Sequence, residues 1–257
     1  MIESATAALV VAAFFVGGFV KGAIGLGLPV VVLAALALVM PLREAMAVFV
    51  IPGIAANLWQ ATNGPFLPSL LRRMWSFLLA AVVGIAVGVM IMAGTRSNGM
   101  AAVLGVLLVV YSAFSLAAPR LPEPGRREVW LSPLAGASGG VLFGATGLFI
   151  VPGLLYLETL RMPRDRFVQA LGLTFITITA ALGVSMTSYA LISRELALLS
   201  ALGLVPVFLG LWLGRRMRHR ISEEGFRRLF FLALAVSGVY MVIRNWEAAV
   251  EFAEVLP

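Results

Sequence analysis

Gly18-Phe19-Val20-Lys21-Gly22-Ala23-Ile24-Gly25-Leu26-Gly27 interrupts an apolar stretch that runs from Ala5 to Met40. The interruption recurs 122 residues on as Gly140-Val141-Leu142-Phe143-Gly144-Ala145-Thr146-Gly147-Leu148, again inside an apolar run. The same offset carries Met40-Pro41 onto Met162-Pro163. Glycines remove side-chain bulk and let the backbone enter conformations closed to other residues. Two such breaks at one offset predict a chain of two related halves, each beginning with a Gly-broken helix or helical hairpin.

The composition says which solvent surrounds those helices. Of 257 residues, 61% are hydrophobic and 12% are charged, where soluble domains carry about 25% charged residues. Mean hydropathy is +1.02. Apolar segments fall at about 4–20, 23–40, 45–62, 74–93 and 99–118, then at about 132–146, 147–160, 167–192, 195–214 and 226–245. About 20 residues make one helical crossing of a bilayer. The fold class is therefore an all-α integral membrane protein with the lipid bilayer as its surroundings. There is no cysteine, which removes disulfide and thiolate chemistry. His219 is the single histidine and lies in the basic run Arg215–Arg220, so neither a bis-histidine haem nor a His-rich zinc site is expected, and no cofactor or metal is assigned. The net charge of +7 does not mark a nucleic-acid binder, because the basic residues sit in short loops between apolar runs. The N-terminus lacks the positive region of a cleaved signal peptide and reads as part of the mature protein.

Pro119-Arg120-Leu121-Pro122-Glu123-Pro124-Gly125-Arg126-Arg127-Glu128 is rich in proline and charge and reads as a loop. It divides the chain into a first transmembrane repeat (1–118), a cytoplasmic linker (119–131) and a second repeat (132–257). Stretches 63–73, 119–131, 158–166 and 215–228 hold fourteen of the nineteen basic residues. The positive-inside rule puts all four in the cytoplasm and both termini outside. The second half then starts on the opposite face from the first, which makes the halves inverted repeats about an axis in the membrane plane. Gly84-x-x-x-Gly88 and Gly210-x-x-x-Gly214 echo the duplication at an offset of 126 and suit close helix approach.

Lys21 is the only lysine in the chain. A lysine at membrane depth is costly to insert and is usually kept for function. Its compact ammonium can meet an oxyanion. A helix restarting after Gly25 and Gly27 would add free N–H groups and a positive dipole end, together a setting for a small anion. The plainer reading is that Lys21 ends a short span and snorkels to the headgroups. In the second break, Thr146 offers a cap or a hydroxyl, Gly144 and Gly147 stand in for Gly22 and Gly25, and Phe143 replaces Lys21. The third apolar segments carry Asn57 and Gln60 in one half and Gln169, Thr174, Thr177 and Thr179 in the other. The amides are costly to leave unpaired in lipid. The threonines either line a polar cavity or bond to nearby backbone. Gly136-Ala137-Ser138-Gly139 fits a serine-protease pattern, but that chemistry needs a membrane histidine, and none is present. Glu44, Glu158 and Asp165 fall at segment ends beside arginines, so no carboxylate-driven proton pump stands out.

The first motif, Gly18 to Gly27, with its following apolar run and Pro41 turn, and the second break with Pro152, resemble the sulfite exporter TauE/SafE family over essentially the whole chain. Leu26 and Leu28 interrupt glycines common in that motif, and Phe149 stands where a glycine is common. The resemblance implies transport of small sulfur-containing anions such as sulfite or organosulfonates, usually outward, across a bacterial cytoplasmic (inner) membrane. It places the family's glycines on Gly18, Gly22, Gly25 and Gly27 and on Gly140, Gly144 and Gly147. The expected substrate site comprises Lys21, Gly22, Gly25, Gly27, Asn57, Gly144, Thr146, Gly147 and Thr177, with alternating access between the two breaks. A coupling proton and a homodimer are further partners this reading admits. The alternative is a non-transporting membrane subunit or assembly factor whose glycines serve packing alone; an enzyme is not expected.

Overall fold

The structure, a computed structural model, describes residues 4–95, 97–117, 122–217 and 223–245. His219, the linker residues 119–121 and the acidic tail positions Glu247, Glu251 and Glu254 lie outside the described residues. Among the described residues there are no strands. The helices are α1 (Ser4–Ile24), α2 (Leu28–Leu36), α3 (Leu42–Thr62), α4 (Leu67–Gly94), α5 (Ser97–Ala117), α6 (Glu128–Thr146), α7 (Leu155–Thr159), α8 (Arg164–Ser188), α9 (Arg194–Leu202), α10 (Leu204–Met217) and α11 (Glu223–Arg244). A π-helical turn, Ile150–Leu154, leads into α7.

Among the described residues, seven helical segments are long and apolar enough to cross a membrane: Thr6–Ile24, Leu42–Thr62, Leu67–Gly94, Met100–Ala117, Gly125–Thr146, Arg164–Ser188 and Arg194–Met217. The last runs through α9 and α10, whose junction at Gly203 packs against the Phe14 ring. The outward faces are apolar: Trp75 is 63% exposed and Val236 70%. Such surface belongs against lipid rather than water.

The apolar segments expected at 23–40 and 147–160 are short. α2 has nine residues and α7 has five. Their brevity follows from the glycine breaks. Gly25, Gly27 and Gly147 have φ of 89°, 103° and 77°, the left-handed region that favours glycine. The Gly25 N–H donates to the Lys21 carbonyl at 2.8 Å, and the Gly147 N–H to the Phe143 carbonyl at 2.7 Å. Each closes its helix in the same way. The chain then doubles back. A Cβ on Gly17 would lie 3.0 Å from the Leu28 and Val32 side chains of α2, and one on Gly139 would lie 3.0 Å from Phe149 and 3.1 Å from Gly153. Pro41 and Pro163 then open α3 and α8 in nearly identical extended conformations.

Packing pairs elements across the halves: α1 with α10, α4 with α6, α3 with α8, and α5 with α11. In α1 and α10, Gly18 lies against the Val207 carbonyl and Gly22 against that of Leu211, while Gly210 and Gly214 lie against those of Phe15 and Phe19. In α4 and α6, Gly140 and Gly144 meet Ala81 and Ile85, while Gly84 and Gly88 meet Ala137 and Val141. Sequence numbers rise together, so both pairs run parallel. A Cβ on any of these eight glycines would stand within 2.5 Å of a carbonyl oxygen, so only glycine allows this approach. α3 and α8 instead run antiparallel: Gly64 meets Gln169, Ala61 meets Gly172, Gly53 meets Thr179 and Val50 meets Gly183.

One end of the bundle gathers the four Arg-rich stretches. Arg73 Nε and Nη2 donate to the Glu128 carboxylate at 2.7 and 2.9 Å. Arg166 reaches Ser69 at 3.4 Å, and Arg215 stacks on Trp59 near the end of α3. At the opposite end, Arg244 donates to the Leu38 carbonyl beyond α2.

Candidate functional site

Lys21 occupies the last turn of α1 and is 5% exposed. It does not snorkel outward. Its Nζ donates to Asn57 Oδ1 on α3 at 2.5 Å, and Asn57 Nδ2 in turn donates to the Gly53 carbonyl at 2.7 Å. The Phe175 ring of α8 lies 5.9 Å from the nitrogen. Both polar groups of Asn57 are thus engaged, and its part in this conformation is to hold the lysine head.

Gln60, three residues on from Asn57, lies on the same helical face. Its Nε2 donates to the Gly25 carbonyl at 3.3 Å and the Val168 carbonyl at 2.9 Å. The Gly25 carbonyl is available because the helix stops there and the next turn cannot claim it. The amide therefore ties the first break to α3 and α8, while Gln60 Oε1 is buried with no partner among the described residues. Gln169 answers from α8, donating to the carbonyls of Ala61 and Gly64 and accepting from the Phe66 N–H, each at 2.9 Å.

A cavity of about 320 Å³ opens beside this break. Its walls are Lys21, Gly22 and Gly25 of the break, Ala56, Trp59, Gln60 and Asn63 of α3 and the turn after it, Val168 of α8, and Leu211 and Arg215 of α10. Two cations line it, and no described carboxylate does. The volume suits a small ligand. A desolvated cation without a carboxylate is electrostatically incomplete, and an anion would complete it.

The second break is built differently. Phe143 and Phe149 are buried around it. Thr146 donates its hydroxyl proton to the Leu142 carbonyl at 2.7 Å and accepts from the Leu148 N–H at 3.3 Å, so its hydroxyl is spent on its own helix end. A Cβ on Gly147 would overlap Leu33 Cδ1 at 2.1 Å. The two breaks do face each other, across a void of about 10 Å³ lined by Leu26, Gly27, Pro29, Val30, Tyr111, Leu148, Phe149, Leu154 and Phe175. That seam is apolar and leaves almost no free volume.

Of the expected residues, Lys21, Gly22 and Gly25 line the polar cavity, with Asn57 directly behind Lys21. Gly27 belongs to the apolar seam. Gly144 lies against the Ile85 carbonyl of α4. Thr177 donates to the Leu173 carbonyl at 2.8 Å. Gly144, Thr146, Gly147 and Thr177 are not among the residues that line the polar cavity. Trp59 and Arg215 were not anticipated. Arg215 follows Gly214, the glycine that seats α10 against α1, so pairing those two helices would have found it.

No curated protein and no solved structure matches the chain. The family model for sulfite exporter TauE/SafE matches residues 9–241. With its all-helical membrane architecture and duplicated glycine breaks, the chain belongs to the sulfite exporter TauE/SafE family.

Proposed function

We propose that this protein is a secondary carrier of a small sulfur-containing anion, sulfite or an organosulfonate, working outward across the bacterial cytoplasmic membrane by alternating access. Family membership supports a membrane transporter of sulfur anions. The observation that carries the finer reading is the buried Lys21 head, held by a neutral amide at the wall of a cavity with no described carboxylate. A structural cation inside a membrane protein ordinarily pairs with a carboxylate or backbone carbonyls. This one leaves its charge for a ligand.

The pairing pattern supports a pseudo-two-fold between the halves. Exchanging the halves turns the α1–α10 pair into the α6–α4 pair and maps α3–α8 onto itself with reversed direction. Equivalent helices running antiparallel are what an axis in the membrane plane requires. With the Arg-rich end placed in the cytoplasm, the polar cavity opens inward and the apolar seam between the breaks closes the path outward. Rocking the halves about the seam would reverse that access.

The packing role of glycine, central to the alternative of a non-transporting subunit, accounts for Gly18, Gly22, Gly84, Gly88, Gly140, Gly144, Gly210 and Gly214. It does not account for Gly25, which breaks α1 while open space surrounds its missing Cβ.

The test is reconstitution in liposomes with uptake of labelled sulfite, comparing wild type with Lys21→Met. A carrier gives saturable flux that the substitution largely removes. Equal flux in both proteins contradicts a Lys21-centred site, and no flux above empty liposomes, for sulfite and for a sulfonate panel, contradicts the carrier.

A further inference from the structure

We infer that Arg215 is a second anion-binding residue, stationed on Trp59 at the mouth of the cavity until an anion draws it inward. This rests on the anion-carrier reading. Arg215 lies in the last turn of α10, and its guanidinium carbon stands 3.6 Å from the centroid of the Trp59 ring on α3. Both residues line the Lys21 cavity, and both are exposed. The contact bridges α10 of the second half and α3 of the first, so it spans the opening through which a ligand would pass.

The guanidinium has no carboxylate partner among the described residues. Lys21 and Arg215 line one cavity and carry charge of like sign. An anion between the two relieves that repulsion. A guanidinium offers a planar fork of donors matched to oxyanions, and a charge-assisted hydrogen bond to an oxyanion exceeds a cation–π contact at an exposed site. Trp59 therefore holds Arg215 in place in the empty protein and releases it to a ligand.

Two comparisons separate this arrangement from a generic basic loop. The adjacent Arg216 stands 5.9 Å from the Trp212 ring and does not line the cavity. The positions matching Trp59 and Arg215 in the other half are Ala181 and Val89, so the pair has no counterpart there. The ligand class is a small oxyanion that can accept from an ammonium and a guanidinium together.

The experiment measures initial rates of labelled sulfite uptake against concentration in liposomes for wild type, Arg215→Gln, Arg215→Lys, Arg216→Gln and Lys21→Met. It is paired with tryptophan fluorescence titrations by sulfite of wild type, Arg215→Gln and Trp59→Phe. Arg215→Gln should raise KM about tenfold, the loss expected for one charged hydrogen bond, with kcat within about twofold. Arg215→Lys should fall between it and wild type, and Arg216→Gln should match wild type. Sulfite should change the emission of wild type, and that change should vanish in Trp59→Phe and in Arg215→Gln. Should Arg215→Gln not fold, Arg215→Lys carries the same comparison. Equal KM values for the Arg215 and Arg216 variants, or an emission change that survives Trp59→Phe, overturn the assignment while leaving Lys21 intact. Full flux in Lys21→Met instead overturns the carrier site beneath it.

Discussion

The two glycine breaks share a backbone and differ in everything the backbone carries. Gly25 and Gly147 both take left-handed φ and both close their helices on the carbonyl four residues back. Around the first stand Lys21, Asn57, Gln60 and open space. Around the second stand Phe143, Phe149 and a threonine bonded to its own helix end. The same backbone turn occurs twice, and the side chains around it differ. One break lines a polar cavity, and the other borders an apolar seam. Lys21 matches Phe143, and Asn57 matches Thr179, so the polarity of the site was not duplicated with its geometry.

The largest expected effect attacks what the halves share. Gly140→Val drives a side chain into the Ala81 carbonyl, which a Cβ would approach to 2.3 Å. It should cost about 3 kcal/mol, at the upper end of overpacking in a core, or prevent folding. Thermal unfolding in detergent measures it. Gly18→Val should behave alike, since its Cβ would stand 2.3 Å from the Val207 carbonyl, and a tolerant Gly18 would show that the two helix pairs are not equivalent.

Next come the breaks themselves. Gly147→Ala meets both a left-handed backbone and the Leu33 side chain, whereas Gly25→Ala meets only the backbone. Left-handed φ costs a non-glycine residue about 1–2 kcal/mol, so Gly25→Ala should lower stability by that amount and Gly147→Ala by more. Equal losses would mean that the space beside Gly25 closes in the membrane. The smallest effect lies away from both breaks. Arg73→Gln removes a partly exposed ion pair with Glu128, and such pairs contribute below about 1 kcal/mol, so the unfolding midpoint should barely move.

Much of this organisation was legible in the sequence, for identifiable reasons. Glycine spacing marked both breaks because glycine enters their left-handed φ without strain. The Gly84-x-x-x-Gly88 and Gly210-x-x-x-Gly214 spacings marked close helix approach, though not which helices pair. Lys21 stood out because it is a lone lysine in an apolar run. The sequence could not reveal that Thr146 and Thr177 spend their hydroxyls on their own helices, since a threonine four residues beyond a carbonyl looks the same whether it faces a cavity or its own backbone. Arg215 reaches the cavity wall through the packing of α10 on α1, and the glycine spacing alone does not say which helix α10 packs against. The replacement of Lys21 by Phe143 already shows that the two breaks differ in charge; that the polar cavity lies beside the first break while Phe149 stands at the seam between them is a matter of tertiary packing.

The most direct test of an anion site at the first break is equilibrium binding of labelled sulfite to purified wild-type protein and to Lys21→Met, both shown to be folded. Loss of one charged hydrogen bond in a buried site should weaken binding by about 30-fold, or roughly 2 kcal/mol, while Phe143→Met, the matching change at the second break, should leave it within about twofold. Binding that survives Lys21→Met and is lost in Phe143→Met would place the anion at the other break and contradict the account.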